Sequence, residues 1–474
     1  MAVDKLVDST QLDADLTSVA NAIRAKSGGS NSLAFPSEFI TEIASIPTGS
    51  SVQVDPLSVS QNGTYTAPSG HAYSPVTVNV SGGGTEVVNM GDPVRFFDYD
   101  GTLVHSYSAS DFQALTAMPS NPYHAGLTAQ GWNWSLADAK AQVTAMGMCD
   151  IGQMYVTSDG KTRLYCHFEE GRLNPYVGLY PNGTVTIDWG DNSATDTLTG
   201  TSLTTRKNVG HVYASSGDYV ITLTPTSGTF AIRGSNFSHL LNKAAGTAQY
   251  VSNVYGNTIK KVELGNSVTL SNYAFTQCYS LETITMPSHI TSIGTFAFQN
   301  CVSLKQLTIP SGVAVLENYV LNLCYSIRST SIPKSVTSIN QQALRYQYGT
   351  ERQVLPYTVT SIGANTFYNG YALSSFVLPP NITAIEASTF YACYGLPKIT
   401  IPSGVTSIAG SAFQNCYGLG EIHFKPTTPP TVANANAFTN VPTDCKIYVP
   451  TGTLSDYTSA TNYPSSATYT YIEE

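Results

Sequence analysis

"LETITMPSHITSIGTFAFQNC", residues 281–301, and "LPKITIPSGVTSIAGSAFQNC", residues 396–416, are copies of one unit, and that unit decides the fold of the C-terminal half. Its landmarks return every 23 residues. Pro287, Pro310, Pro333, Pro356, Pro379 and Pro402 mark one slot, and eleven residues further on stand Phe298, Leu321, Leu344, Phe367, Phe390 and Phe413. Ile293, Leu316, Ile339, Ile362, Ile385 and Ile408 fill a third slot. Cys278, Cys301, Cys324, Cys393 and Cys416 fill a fourth, in which Gln347 and Gly370 replace cysteine. Leu264 and Phe275 open the array one coil earlier, so about seven coils are expected.

A coil this short cannot bury its apolar face alone, so the coils must stack around one continuous core. Alternation at Ile284/Met286 and Leu307/Ile309 marks a short strand ending at the Pro slot, where a missing N–H is tolerated. Residues 295–300, before the Cys slot, have the spacing of a short helix or a tight turn. Seven coils at the strand spacing give about 34 Å of sheet. A cysteine series that accepts Gln and Gly reads as a ladder of buried structural thiols, although stacked coils could bring two within disulfide range.

The residue after the Cys slot is Tyr279, Val302, Tyr325, Tyr348, Tyr371, Tyr394 and Tyr417 in successive coils. The Cys slot and the slot three residues later (Leu281, Leu304, Ile327, Leu373, Leu396 and Leu419) point inward, so this slot faces out. The six tyrosines are the candidate binding residues: a phenol stripe that packs on sugar rings or on a protein. The same pattern also suits an aromatic ladder that only stiffens the solenoid. The slot before the cysteine varies (Gln277, Asn300, Leu323, Tyr346, Asn369, Ala392, Asn415), as an adaptable surface would.

Composition agrees with a neutral, hydroxyl-rich surface. Of 474 residues only 11% are charged, against roughly 25% in ordinary soluble domains, while 30 are Tyr. With 42% apolar residues and a net charge of −9, disorder by charge is excluded. Lys and Arg number 22 against 31 Asp and Glu, without a basic run, which disfavours nucleic acid. Asp4, Asp8, Asp13 and Asp15 interrupt any signal-like apolar stretch, and no run suits a membrane span. The chain is therefore expected to be made in the cytoplasm and released by a route other than secretion.

The 23-residue unit resembles the BspA-type leucine-rich repeat over roughly residues 259–425, and "KPTTPPTVANANAFTNVPTDCKIYVP" (425–450) is similar to the closing cap of such arrays. The resemblance implies recognition by a solenoid surface rather than catalysis. Tyr after the cysteine departs from the small polar residue more usual in that family.

Upstream, Leu12, Leu16, Val19 and Ile23 form the seam of an amphipathic helix at residues 9–26, stopped by Gly28-Gly29. It could form a coiled-coil dimer or trimer, or pack on a second helix carrying Phe39, Ile40, Ile43 and Ile46. "LDADLTSVANAIRAKSGGSNSLAFPSEF" (12–39) resembles the N-terminal segment of tail-associated proteins from phages and prophages of Gram-positive gut bacteria, and "SVSQNGTYTAP" with "YSPVTVNV" is similar to their small β-modules. "VTIDWGDNS" (185–193) and "GHVYASSGDYVITLT" (210–224) resemble a PKD-type immunoglobulin-like sandwich, with Trp189 in its core and His211 and Tyr213 packed beside it. Asp188, Asp191 and Asp196 there read as loop caps before calcium ligands.

"FFDYDGTL" (96–103) resembles the first motif of haloacid-dehalogenase phosphatases, with Asp98 as nucleophile and Asp100 as acid/base. Too little chain follows for that fold, and a strand running into an Asp-Gly turn explains the string. Residues 154–157 and 162–167 are expected to pair as a hairpin around Ser158-Asp159-Gly160.

The expected fold class is multidomain and mainly β. Its parts are an N-terminal helical attachment segment (1–50), a small β-module and Gly linker (51–84), a small α+β module (85–170), a PKD-like sandwich (171–235), the solenoid (236–425) and a cap (426–474). The expected function is a phage or prophage tail-fibre or tail-tip adhesin, carried on the virion tail and without enzymatic activity. It would bind a host-surface glycan or protein through the solenoid and tail or baseplate proteins through the N-terminus, as a homo-oligomer with a trimer favoured. A bacterial cell-surface BspA-like adhesin is the alternative, and a phosphatase using Asp98 and Asp100 a remote one. No cofactor and no metal are expected.

Overall fold

The computed structural model describes residues 88–235, 239–242 and 255–474. The helices expected at residues 9–46 and the β-module at 57–80 lie outside the described residues.

The unit from Asn89 onward begins with a four-stranded sheet of order β2-β1-β4-β3. These strands are β1 (Val94–Phe97), β2 (Leu103–Tyr107), β3 (Leu127–Trp132) and β4 (Cys149–Thr157). Helix α1 (Ala109–Ala114) is capped by Ser108, and α2 (Leu136–Met146) by Ser135 and, at its end, by left-handed Gly147. Phe96, Phe112, Trp132 and Val143 fill the core between sheet and helices.

The Ser158-Asp159-Gly160 turn forms, with the Gly160 amide donating to the Thr157 carbonyl, but the strands it joins do not pair as a hairpin. β4 bonds to β1 and β3, whereas β5 (Thr162–Phe168) bonds to β9 (Gly217–Ile232) along its whole length. The reason is burial: Leu164, Cys166 and Phe168, on one face of β5, belong to a much larger core. β9 also pairs with β6 (Tyr176–Asp188), which carries β7 (Asp196–Thr201), β8 (Lys207–Gly210) and β10 (Leu241–Asn242). On its other side β5 pairs antiparallel with β11 (Ile259–Glu263), the first strand of the solenoid. β12 (Val268–Leu270) runs parallel to β9. One hydrophobic core therefore extends unbroken from Leu164 to Tyr457.

Beyond β12 the chain is mainly β solenoid at the 23-residue period. One row of parallel strands includes Gln306–Thr308 and Ser329–Ser331, with Leu307 opposite Thr330. A second row, Val315–Leu316, Ser338–Ile339 and Ser361–Ile362, stacks Leu316, Ile339 and Ile362. The stretch before each cysteine is a turn whose amides donate to the next coil, as in Phe298 N to Val320 O at 2.9 Å. Two residues per turn are left-handed without being glycine: Phe296 and Asn300 in one coil, Tyr319 and Leu323 in the next, Asn365 and Asn369 further on. That conformation costs about 1–2 kcal/mol per residue relative to the right-handed one, and Asn tolerates it best. The varying slot of the sequence is thus a backbone-restricted one.

The C-terminal residues continue the coil. Lys446–Val449 and Thr470–Glu473 extend the sheet of Lys398–Ile401 and Glu421–Phe424, and Phe438 stacks on Phe413 at 5.8 Å. A short helix, Leu454–Ser459, buries Tyr457, whose hydroxyl donates to the Pro426 carbonyl at 2.7 Å.

The α+β sheet is fastened to the solenoid. Asn133 Nδ2 donates to the carbonyls of Ile309 (2.9 Å) and Ser331 (3.1 Å), and Gln142 Nε2 to that of Leu355 (2.9 Å). Asp150, buried, takes a forked bond from Arg95 at 2.8 and 2.6 Å and meets Arg352 of the solenoid at 3.2 Å. Gly152 allows the approach: a Cβ there would stand 2.3 Å from Thr308 Oγ1.

Candidate binding surface

The slot after the cysteine builds a ladder of rings. Tyr325, Tyr348, Tyr371 and Tyr394 stack nearly parallel with centroids 4.8, 4.8 and 4.7 Å apart, and Tyr417 follows at 5.3 Å, tilted by 42°. The spacing is the distance between strands of a sheet, so the coil pitch itself enforces the stack. Such pairs contribute about 0.5–1.5 kcal/mol each beyond buried area. Tyr279 stands apart. Val302 interrupts the series, and the Tyr279 ring lies over Gly256, where a Cβ would come within 2.6 Å of it.

The stripe does face outward. Tyr325 is 37% exposed, Tyr394 41% and Tyr417 55%, while Tyr279, Tyr348 and Tyr371 are half-buried. The interior rungs present ring edges and hydroxyls to solvent, since their faces are covered by neighbouring rings. Burial raises the phenol of Tyr348 to about 12, helped by the adjacent phenols, and raises Tyr325 and Tyr371 in the same direction. These groups stay uncharged hydrogen-bonding hydroxyls at neutral pH.

A second aromatic row, missed in the sequence, flanks the first. The Arg345 guanidinium lies 4.4 Å from the Tyr346 ring and 4.5 Å from Tyr368, and Tyr368 stacks on Tyr391 at 4.5 Å. Tyr346 stands edge-on to both Tyr348 and Tyr368, joining the rows. Tyr273, Phe296 and Tyr319 make a third stack at 4.7 and 4.5 Å. Arg345, Tyr368 and Tyr391, like Tyr273, Phe296 and Tyr319, lie at the 23-residue spacing, so applying the period to every slot would have found them.

Behind the stripe, the cysteine ladder is intact where cysteine is present. Cys301, Cys324, Cys393 and Cys416 each donate through Sγ to the carbonyl of residue 275, 298, 367 or 390, at 3.0–3.2 Å. All eight cysteines are free and buried. Where Gln347 and Gly370 replace them, a cavity of about 10 Å³ remains, lined by Leu344, Gln347, Thr350, Gln353, Phe367, Gly370 and Leu373. Gln347 Nε2 and Gln353 Oε1 are buried beside it without partners.

The acidic candidates are spent on local structure. Asp98 closes the β1–β2 turn, accepting from the Tyr99 amide at 2.8 Å and meeting His124 Nε2 at 2.6 Å; Asp100 accepts from the Thr102 amide at 2.9 Å. Asp188 accepts from the Gly190 amide, Asp191 from Ser193 and from His211, and Asp196 from the Trp189 indole. Trp189 is buried, with His211 stacked on it at 4.7 Å and the Tyr213 hydroxyl donating to its carbonyl at 2.9 Å. Among the described residues no three His, Cys, Asp or Glu side chains group as a metal site, and no helix is long and apolar enough to cross a membrane.

Residues 252–350 and 346–453 match the model of the BspA type leucine rich repeat region, in six copies. The repeat region is similar to that family. Among solved structures, a leucine-rich repeat protein from Bacteroides ovatus is 23% identical, with a TM-score of 0.34, over 42% of this chain and 57% of its own. The chain thus spans little more than half of that protein. A leucine-rich repeat protein of T. pallidum is 21% identical (TM-score 0.32; 39% of this chain, 84% of its own). A leucine rich cell surface protein of Faecalibacterium prausnitzii is 19% identical (TM-score 0.22; 51% and 87%). No curated protein matches the chain.

Proposed function

We propose, for a chain whose repeat region is similar to the BspA leucine-rich type, that it is a non-enzymatic adhesin of the bacterial cell surface, binding through the tyrosine face of its solenoid. The observation that carries this is the five-rung ladder from Tyr325 to Tyr417, which faces outward on an otherwise charge-poor coil and exposes Tyr325, Tyr394 and Tyr417. Aligned exposed aromatics on a soluble protein are contact surface more often than ornament. A row of neutral phenols suits a glycan or an uncharged protein surface, and several weak contacts per chain gain strength when chains are clustered.

The ladder also braces the coils, so the test must separate bracing from binding. Tyr348→Phe, Tyr371→Phe and Tyr394→Phe together keep the stack and delete the hydroxyls. The expected result is an unchanged thermal transition with at least tenfold weaker binding to bacterial cells or isolated envelope. Unchanged binding would sink the ladder as a recognition surface.

A second placement, on a phage or prophage tail, is favoured by the sequence of residues 12–39 and leaves the binding mechanism the same. In that case the full chain is an oligomer, a trimer by preference, held by residues 9–26. Light scattering of the full chain and of a chain lacking residues 1–50 tests it: equal, monomeric masses count against the tail placement.

A further inference from the structure

We propose that Tyr417 is a carbohydrate subsite, an open ring on which a neutral sugar stacks beside the amides of Asn415 and Asn440. This rests on the reading of the ladder as a recognition surface and names its ligand class. Within the ladder, both faces of Tyr348 and Tyr371 are covered by rings 4.7–4.8 Å away, which leaves a sugar only edges and hydroxyls there. The C-terminal end differs. Tyr417 is tilted 42° from Tyr394 and is 55% exposed, the most open rung of the five. The stack of Phe413 on Phe438 and the bond between Asn440 and Asn415 set the register there, which places Pro442 rather than a tyrosine in the following rung.

A pyranose needs two things from a protein: an aromatic face for its C–H face and both donors and acceptors for its hydroxyls. Both are present. Asn440 Nδ2 donates to Asn415 Oδ1 at 2.7 Å, Asn415 Nδ2 donates to the Tyr391 hydroxyl at 2.9 Å, and the Tyr417 hydroxyl lies 3.4 Å from Asn415 Oδ1. The chain of bonds orients the two amides beside the ring before any ligand arrives. Left-handed backbone at Asn415 (φ 63°) and Asn440 (φ 62°) is a conformation asparagine accepts at lower cost than other side-chain-bearing residues. Every group in this set is uncharged, which matches a neutral glycan over an acidic one or a basic peptide.

The test is saturation-transfer NMR on the full chain with neutral oligosaccharides: β-linked gluco-, galacto- and N-acetylglucosamine oligomers. Transfer to the C–H protons of one sugar face is expected, with binding at least tenfold weaker in Tyr417→Ser, several-fold weaker in Asn440→Ala and retained in Tyr417→Phe. Tyr417 is exposed, so an unchanged thermal transition will certify the fold of these variants. If Tyr417→Ser binds as the parent does while the triple Tyr→Phe variant of the ladder does not, the subsite is wrong and the ladder reading stands. If Tyr417→Ser fails and the triple variant binds normally, the subsite holds and the ladder reading fails. No transfer from any oligosaccharide, alongside ladder-dependent capture of an envelope protein, overturns the sugar proposal in favour of a protein ligand. A self-association abolished by Tyr417→Ser overturns it in favour of a second copy.

Discussion

The thiol of Cys416 donates to the carbonyl of Phe390, 3.0 Å away and 26 residues earlier in the chain. That bond ties the Cys slot of one coil to the Phe slot of the coil before, and it recurs at Cys301, Cys324 and Cys393. It explains why cysteine suits the slot: a small apolar group that still offers a donor to a buried carbonyl.

Those thiols are all buried. Burial pushes Cys278, Cys324 and Cys416 up to about 12, and Cys301 and Cys393 well above the ordinary value of 9.0. The native protein should react with almost no aromatic disulfide reagent at pH 8, and all eight thiols should titrate after denaturation. Rapid native labelling would refute this.

The same shifts fix an alkaline limit. A folded-state pKa above the unfolded one means that the unfolded chain loses protons first as pH rises, so folding stability is full below about pH 9 and falls through pH 12. Each such thiol adds a slope of up to about 1.4 kcal/mol per pH unit in that window. Urea midpoints that stay flat between pH 9 and 11 would contradict it.

Gln347 interrupts the ladder with a buried amide nitrogen that has no partner. Gln347→Cys should place a thiol within reach of the Leu321 carbonyl and remove the orphan donor. The expected gain is about 1 kcal/mol, read as a higher urea midpoint. A loss would show that the amide is satisfied in solution.

Asp150 holds Arg95 and Arg352 together across the seam between the α+β sheet and the solenoid. Asp150→Ala leaves the buried Arg95 guanidinium without its carboxylate and removes the link to Arg352, a cost of about 3–5 kcal/mol. Hydrogen exchange should show β4 deprotected before the solenoid strands. Equal loss in both would mean that the two parts unfold as one.

Leu323 is left-handed, with φ 64°, in a slot where three other coils use asparagine (Asn300, Asn369 and Asn415). Leu323→Asn should stabilise the fold by about 1 kcal/mol. A lower thermal transition would mean that the Leu323 side chain contributes more by packing than its backbone costs.

The period of 23, with its Pro, Ile, Phe and Cys slots, was written in the sequence, because a stacked coil repeats its inward-facing residues at every turn. It gave the solenoid, its buried core and the outward course of the tyrosine stripe. Three things only the tertiary structure decided. β5 left the expected hairpin with β4 for β9 and β11, since pairing across 50 to 100 residues depends on which core buries Leu164 and Phe168, not on the local turn. The two aromatic rows are joined by Tyr346, which lies outside the slot of Arg345, Tyr368 and Tyr391 and meets them only through space. Finally, periodicity places the tyrosines on one line but leaves their ring orientation open. Coil pitch closes the faces of the interior rungs and leaves Tyr417, at the end of the ladder, open.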